Sequence, residues 1–297
     1  MTVKTIAFLG AGTMGSRMLR HLVRNGYLVK VFNRTRERLL QFADEGCQIV
    51  ESPTEAAVNA DAILSCVSDD SASEFVWFGP TGAINSARPR AIAIELSTLS
   101  LPYLSDWSER IVAAGLVPID APITGSTAGA EAGDLTAFVG ASEGLEAAKS
   151  ILNSFCSTQI HFGPTGSGMQ FKLVYNMVGG GIGAVFAEGL NLLEKLGISS
   201  ELALDTFKST GWASAVAQSK GTLMLKGRYE PAAFKARYML KDVLYALAAA
   251  RQSGARAPFG ELVASLYANA VSQGAGDMDF SVIKATSSDW NALDDQT

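Results

Sequence analysis

Lys172 and Asn176 stand four residues apart in a run that opens Gly166-Ser167-Gly168-Met169-Gln170-Phe171-Lys172. In a helix, positions i and i+4 share one face, so this spacing sets an ammonium beside a carboxamide. A lysine side chain can give up or take a proton, and a carboxamide can donate and accept hydrogen bonds. Gly179, Gly180, Gly183 and Ala187 continue that face. Small residues there permit close approach of another helix or of a second subunit. On residue type alone, a solvated helix lysine and a capping or packing asparagine are the commoner cases.

A second constellation lies at the start of the chain. Thr5-Ile6-Ala7-Phe8-Leu9 has the pattern of a buried strand, Gly10-Ala11-Gly12-Thr13-Met14-Gly15 follows without a gap, and a helix-like run begins at Ser16. Strand, glycine turn and helix start form the context in which G-x-G-x-x-G binds a dinucleotide. Gly10 permits the turn, Gly12 leaves the backbone open to a pyrophosphate, and Gly15 lets helix and strand pack. The helix N-terminus then offers N–H groups and a positive dipole end to phosphate. A tight turn with no ligand is the plain alternative. The next strand, Leu28 to Phe32, ends in Asn33-Arg34-Thr35 followed by Arg36. An NAD site usually has Asp or Glu there for the ribose 2′-hydroxyl. A guanidinium and a hydroxyl suit a 2′-phosphate instead, so NADP(H) is expected over NAD(H), with Arg34 as main phosphate contact. Otherwise Arg34 and Arg36 are solvated residues opening the next helix.

The third segment is Asp120-Ala121-Pro122-Ile123-Thr124-Gly125-Ser126-Thr127, after a strand at Val117 to Asp120. Loops at the carboxyl ends of strands are where open sheets bind ligands. Thr124 and Ser126 offer hydroxyls, and Gly125 lets backbone N–H groups reach an anion, which suits a substrate carboxylate. An ordinary Pro/Gly/Ser turn fits as well. Asp120 reads as a loop organiser rather than an acid catalyst. Lys241-Asp242 lies inside a helix expected from Phe234, where a solvated pair is the common case.

The elements that must position these residues fall into two classes. Strands are expected at residues 48–50, 62–67, 91–96, 135–139 and 159–162 besides those named. Helical segments separate them, one capped by Thr54 and one starting at Ser100. Alternation of this kind predicts an α/β, doubly wound sheet. Beyond Gly163-Pro164-Thr165-Gly166 the pattern turns helical: 168–195 as one long helix, then 200–209, 213–225, 234–253 and 258–273. The domains are accordingly 1–164, a Rossmann dinucleotide-binding domain, and 165–297, an all-helical domain for substrate and oligomerisation, joined by the long interdomain helix.

Composition narrows the class. The 297 residues are 48% apolar and 18% charged with a net charge of −5. That balance suits a globular chain and gives no broad basic surface for nucleic acid or anionic membrane. Cys47, Cys66 and Cys156 are widely spaced, and only His21 and His161 are present. Neither a disulfide framework nor a Cys/His metal site is expected. The start of the chain is strand-length rather than signal-like. The stretch from Met177 to Leu193 comes nearest a membrane span but holds five glycines and Glu188. A cytoplasmic location with no membrane association is expected.

Together these segments resemble the β-hydroxyacid dehydrogenase family, which includes 3-hydroxyisobutyrate dehydrogenases, tartronate semialdehyde reductases and glyoxylate/succinic semialdehyde reductases. The cofactor motif is met at Gly10 to Gly15. The family's D-A-P-V-S-G-G resembles Asp120 to Ser126, with Ile123, Thr124 and Ser126 as departures. Its G-x-G-x-x-x-K-x-x-x-N is met in full by Gly166, Gly168, Lys172 and Asn176. Its late K-D-L resembles Lys241-Asp242-Val243, and the segment Gly276 to Ser281 is also similar. Nearly the whole chain is covered. The 6-phosphogluconate dehydrogenases share motifs, but the helical domain here is short for them.

The resemblance implies an NADP(H)-dependent oxidoreductase moving a hydride between the nicotinamide and a short carboxylate-bearing aldehyde or hydroxy acid, of glyoxylate, succinic semialdehyde or 3-hydroxyisobutyrate type. It implies Lys172 as general acid/base and Asn176 as the group fixing the reacting oxygen. Thr124, Gly125 and Ser126 would hold the substrate carboxylate; Thr124 keeps the hydroxyl, and Ser126 adds a side chain that narrows the substrate range. Val67 and Thr98 would border the nicotinamide, Lys241 would approach the cofactor, and Phe234 and Asp242 would close the site. No metal is required, because Lys172 polarises the carbonyl. A homo-oligomer, dimer or tetramer, is expected. Two alternatives stand beside this. Imine reductases or reductive aminases share the architecture but usually replace the lysine with Asp or Tyr. A non-catalytic NADP-binding scaffold would have no reason to keep Lys172 with Asn176.

Overall fold

The structure is a computed structural model that describes residues 3–42, 45–211 and 213–286. The chain divides into two compact units, Met1–Lys172 and Leu173–Thr297.

Among the described residues of the first unit, nine strands form one sheet: β1 Thr5–Leu9, β2 Leu28–Phe32, β3 Cys47–Ile49, β4 Ala62–Ser65, β5 Ile92–Glu95, β6 Val117–Asp120, β7 Ile123–Thr124, β8 Leu135–Ala141 and β9 Cys156–Gly163. The order is β3-β2-β1-β4-β5-β6-β8-β7, with β9 also on β8. From β3 to β6 all neighbours are parallel. β8 then runs antiparallel to β6 and β7 and parallel to β9. Strands buried on both faces read as continuous apolar runs, and β4, β5 and β6 are buried along their whole length. The reversal of strand order beside β1 is a topological switch point, the place where such sheets take ligands.

Helices α1 Gly15–Arg24, α2 Pro53–Ala57, α3 Asp70–Phe78, α4 Leu101–Ala113, α5 Thr127–Ala132 and α6 Leu145–Leu152 connect the strands. The starts of α2 to α5 follow ordinary capping chemistry. Ser100 Oγ accepts from Tyr103 N, as the sequence suggested. The cap of α2 is Ser52, not Thr54: Ser52 Oγ accepts from Glu55 N at 3.1 Å, Pro53 sits in the first turn, and Thr54 Oγ1 donates to Gly82 O. Ile6, Phe8, Met18, Leu22, Leu64 and Ile94 lie in the unit's core, each without solvent exposure.

Helix α7, Ser167–Lys195, begins in the first unit and continues through the boundary into the second. By length and composition it could cross a membrane, so its glycines and Glu188 do not interrupt the span as the sequence suggested. A core helix passes the same test, and Ala184, Ala187 and Leu190 of α7 are buried with the rest of the second unit's core. That unit adds α8 Ser200–Ser209, α9 Ser214–Val216, α10 Thr222–Lys226, α11 Ala236–Ser253, α12 Pro258–Ser272 and α13 Ile283–Thr286.

Two expected helices differ. The 213–225 segment is not one helix, because a π turn at Ala217–Gly221 separates α9 from α10. Leu204 of α8 packs there, so close that a Cβ on Gly221 would come within 2.1 Å of its Cδ1. The helix expected from Phe234 begins at Ala236 instead. Lys235 forms a bridge with Asp279, and Ala236 N donates to Met278 O at 2.8 Å. Two glycines on the small-residue face of α7 serve the chain's own packing. A Cβ on Gly180 would meet Met239 of α11 at 2.9 Å, and one on Gly183 would meet Phe280 at 3.0 Å.

Candidate active site

The glycine turn has the geometry its sequence requires. Gly10 has φ +103, and a Cβ there would stand 2.4 Å from Cys66 O. A Cβ on Gly15 would stand 2.1 Å from Gly10 O, whereas one on Gly12 would meet nothing within 4 Å. Two glycines therefore close the turn and the third leaves its rim open, a cradle suited to the pyrophosphate of a dinucleotide. No acidic residue occupies the first turn of α1, and no side chain caps it, so its N-terminal N–H groups suit phosphate. The end of β2 is tied to this turn. Gly10 N donates to Phe32 O at 2.9 Å, Ala11 N donates to Asn33 Oδ1 at 3.1 Å, and Asn33 Nδ2 donates to Thr35 O at 2.7 Å. Asn33 thus acts here as a brace for the loop. Arg34 and Thr35 are exposed beside it, and Arg36 pairs with Glu51.

The next two strand ends carry Val67 and Thr98, both half-buried. Val67 N donates to Ser97 Oγ at 2.8 Å, and Leu99 N points at Met169 Sδ, 3.2 Å away. Thr98 is therefore held on both flanks, on one side by α7.

At the end of β6, Asp120 is fully buried. Its Oδ1 accepts from Gly166 N and its Oδ2 from Met169 N at 2.6 Å. A carboxylate from the sheet thereby clamps the first turn of α7, just before Lys172. Burial pushes the Asp120 carboxyl up to about 6, against the opposing pull of backbone N–H groups led by that of Gly166. This is the organising role expected of Asp120. In the loop that follows, Thr124 lies in β7 and Gly125 takes φ +136. Ser126 Oγ accepts from Gly129 N at 3.0 Å and caps α5, so the hydroxyl expected at a substrate carboxylate already has an acceptor's task.

Lys172 is 6% exposed and Asn176 7%, which removes the solvated-lysine alternative. Both lie on the continuous α7, one turn apart. In the second unit Asn176 Nδ2 donates to Asp242 Oδ2 at 2.6 Å. Asp242 is 1% exposed, and Lys241 Nζ stands 3.0 Å from its Oδ1, an ion pair whose angles fall outside hydrogen-bond geometry. Lys241 also lies over the Tyr245 ring, 5.0 Å from its centroid. Asp242 thus orients Asn176, and Lys241 balances the charge of Asp242. Phe234 is half-buried, edge-on to Phe280, and its N–H donates to Asp279 Oδ2 at 3.3 Å.

Two buried acids were missed by the sequence reading. Glu95 was absorbed into an apolar strand pattern, and Asp279 into a tail motif. An acid at the end of an otherwise apolar central strand was the available signal for Glu95.

Residues 5–163 match the NAD binding domain of 6-phosphogluconate dehydrogenase, and residues 166–286 match the NAD-binding domain of NADP-dependent 3-hydroxyisobutyrate dehydrogenase. An uncharacterized oxidoreductase, slr0229, of Synechocystis is 36% identical over 82% of this chain and 84% of its own. Glyoxylate/succinic semialdehyde reductase 1 of Arabidopsis thaliana is 29% identical over 94% of this chain and 96% of its own. The cytokine-like nuclear factor N-PAC of Homo sapiens is 30% identical over 95% of this chain, which spans only 51% of that relative. Among solved structures, Mycobacterium tuberculosis 3-hydroxyisobutyrate dehydrogenase with L-serine has a TM-score of 0.83 at 29% identity, covering 96% of this chain and 99% of the other. An imine reductase from Pseudomonas sp. shares the fold, with a TM-score of 0.61 at 20% identity over 96% of this chain and 99% of its own. A glycine cradle on a doubly wound sheet, a long helix bearing Lys172 and Asn176, and these matches over nearly all described residues place the chain in the 3-hydroxyisobutyrate dehydrogenase family of NAD(P)-dependent oxidoreductases.

Proposed function

We propose that this chain reduces short carboxylate-bearing aldehydes with NADPH and, in reverse, oxidises the corresponding hydroxy acids. The nicotinamide, when bound, supplies or accepts the hydride. Gly10 to Gly15 would hold its pyrophosphate, and Arg34 with Thr35 a 2′-phosphate. Lys172 delivers a proton to the carbonyl oxygen in reduction and removes it from the hydroxyl in oxidation. Its charge also stabilises the oxygen as negative charge develops there. Asn176 fixes that oxygen, and Asp242 fixes the Asn176 amide. Thr124, Gly125 and Ser126 hold the carboxylate through hydroxyl and backbone N–H groups.

The single observation that carries this reading is a nearly buried lysine one helical turn from a buried asparagine, on a helix whose first turn is clamped by Asp120. A scaffold needs no such lysine, and an imine reductase usually lacks it. The name of the Arabidopsis thaliana relative favours glyoxylate and succinic semialdehyde as first substrates. A homo-oligomer is inferred on the exposed apolar face of the second unit, where Val178 and Ile182 of α7 lie near Phe259 and Leu262 of α12.

The test is an NADPH- and NADH-oxidation screen over glyoxylate, succinic, methylmalonate and tartronate semialdehydes and cyclic imines, with Lys172→Ala alongside. Proton transfer by a positioned side chain contributes on the order of 10²–10⁴ in rate, so Lys172→Ala should lose at least about a hundredfold in kcat while still binding NADPH. A variant keeping more than a tenth of the wild-type rate, or a wild type that turns over imines alone, would overturn the reading.

A further inference from the structure

Glu95 is the last residue of β5, fully buried, and the proposed chemistry does not use it. Its Oε2 accepts from Ser65 Oγ at 2.6 Å on β4, and from Ser73 Oγ at 2.8 Å and Trp77 Nε1 at 3.1 Å on α3. Its Oε1 accepts from Ser97 N at 3.0 Å. Ser97 Oγ in turn accepts from Val67 N at 2.8 Å. One carboxylate therefore ties together the carboxyl ends of two adjacent parallel strands, where Ser65 and Glu95 are register partners, and the helix leading from one to the next.

The two loops so tied are those that carry Val67 and Thr98. We propose that Glu95 is a positioning residue that sets the Val67 and Thr98 edge against which a nicotinamide ring rests. This rests on the proposed function, and on the family resemblance, which implies that Val67 and Thr98 border that ring. The arrangement is one of acceptance: hydroxyl, indole and backbone N–H groups all point their hydrogens at the carboxylate, so no neutral isostere satisfies all of them. An amide in its place sets an NH₂ either against Ser97 N–H or against the Trp77 indole N–H. Burial raises the Glu95 carboxyl above its ordinary range, opposed by hydrogen bonds led by that from Ser65.

The test turns on the nicotinamide: 2′,5′-ADP lacks the ring that the proposal sets against Val67 and Thr98, which makes the inference separable from general folding. Affinities of NADPH and of 2′,5′-ADP, which lacks the nicotinamide, would be measured by calorimetry for the wild type, Glu95→Gln and Ser97→Ala. Glu95→Gln should weaken NADPH about tenfold or more while 2′,5′-ADP changes less than about twofold, and Ser97→Ala should show the same asymmetry at about threefold. Equal weakening of both ligands, or of neither, in the variants that fold overturns the positioning role. Ser97→Ala leaves the buried carboxylate intact and decides the matter if Glu95→Gln fails to fold. A wild type that binds both probes but turns over no aldehyde acid sinks the proposed reaction alone, since the affinity ratio still decides for Glu95. A wild type that binds no nicotinamide dinucleotide overturns both.

Discussion

Among the described residues, each unit buries two acids beside its functional residues and holds them by different means. In the first unit, Glu95 and Asp120 take their hydrogen bonds from hydroxyls, an indole and backbone N–H groups. In the second, Asp242 pairs with Lys241 at 3.0 Å and Asp279 with Lys220 at 2.9 Å. The consequence shows in the titration of Glu95, Asp120 and Asp279. Burial dominates at Asp120 and Glu95 and raises both. Burial also works to raise Asp279, but Lys220 and Ser281 outweigh it and hold the carboxyl low. Dipoles around a buried carboxylate offset only part of its desolvation, whereas a lysine within hydrogen-bond reach offsets more. The first unit can therefore place an acid against backbone N–H groups that a helix start needs satisfied, at a cost that depends on pH.

The largest expected effect comes from removing the counter-charge. Lys220→Met leaves Asp279 buried with its N–H and hydroxyl donors alone, from Ala233, Phe234 and Ser281. Breaking a buried pair on one side costs about 3–5 kcal/mol, to be read as a shift in the urea midpoint of unfolding. A single-variant loss below about 1 kcal/mol would show that donors suffice without the cation, and the contrast between the units would collapse.

The next effect is on pH, and Asp120 and Asp279 should respond with opposite sign. The Asp120 carboxyl is raised from 3.8 to about 6. Below pH 4 it is protonated both folded and unfolded. Between pH 4 and pH 6 the unfolded chain loses this proton while the folded chain keeps it, so stability falls as pH rises, by on the order of 3 kcal/mol in all. Asp279 is depressed, so its contribution is present above the unfolded carboxylate range and is lost as pH falls below about 4. Denaturant unfolding at pH 4.5, 5.5 and 7 should show the first slope, and Asp120→Asn should reduce it, the remainder belonging to the raised Glu95 carboxyl. A wild type with no slope in that window would mean that the N–H groups of Gly166 and Met169 stabilise the carboxylate fully.

This contrast also marks what could be read from the sequence. The glycine turn, the long helix and the pairing of Lys172 with Asn176 are local patterns, set by spacing within one strand or one helix, and they were legible. Asp120 was seen as a loop organiser because it opens a loop motif at the end of a strand. Its real partners, Gly166 and Met169, lie far along the chain, and spacing gives no measure of such contacts. Glu95 was hidden because a strand with one acid at its end still reads as apolar. Asp242 was legible as a residue of interest, but its contact with Asn176 depends on how α7 packs on α11. The two-residue strand β7 and the shift of the helix start from Phe234 to Ala236 follow from long-range pairing, with β8 and with Asp279.

The smallest effect tests whether the first unit's hydroxyls are likewise committed. Ser126 stands where the family motif has glycine, and that departure was expected to narrow the substrate range. Its hydroxyl instead receives Gly129 N–H as the cap of α5. Glycine at an N-cap costs only a few tenths of a kcal/mol relative to serine, whereas alanine costs about 1 kcal/mol. If the cap is the hydroxyl's main task, Ser126→Gly should leave both stability and the KM for an aldehyde acid nearly unchanged, and Ser126→Ala should lower stability with KM again unchanged. A KM that rises about tenfold in both variants, at constant kcat, would mean the hydroxyl also donates to the substrate carboxylate. That outcome would make Ser126 a residue with two tasks, accepting from α5 and donating to the ligand, and would bring the original expectation back through a geometry the motif alone does not show.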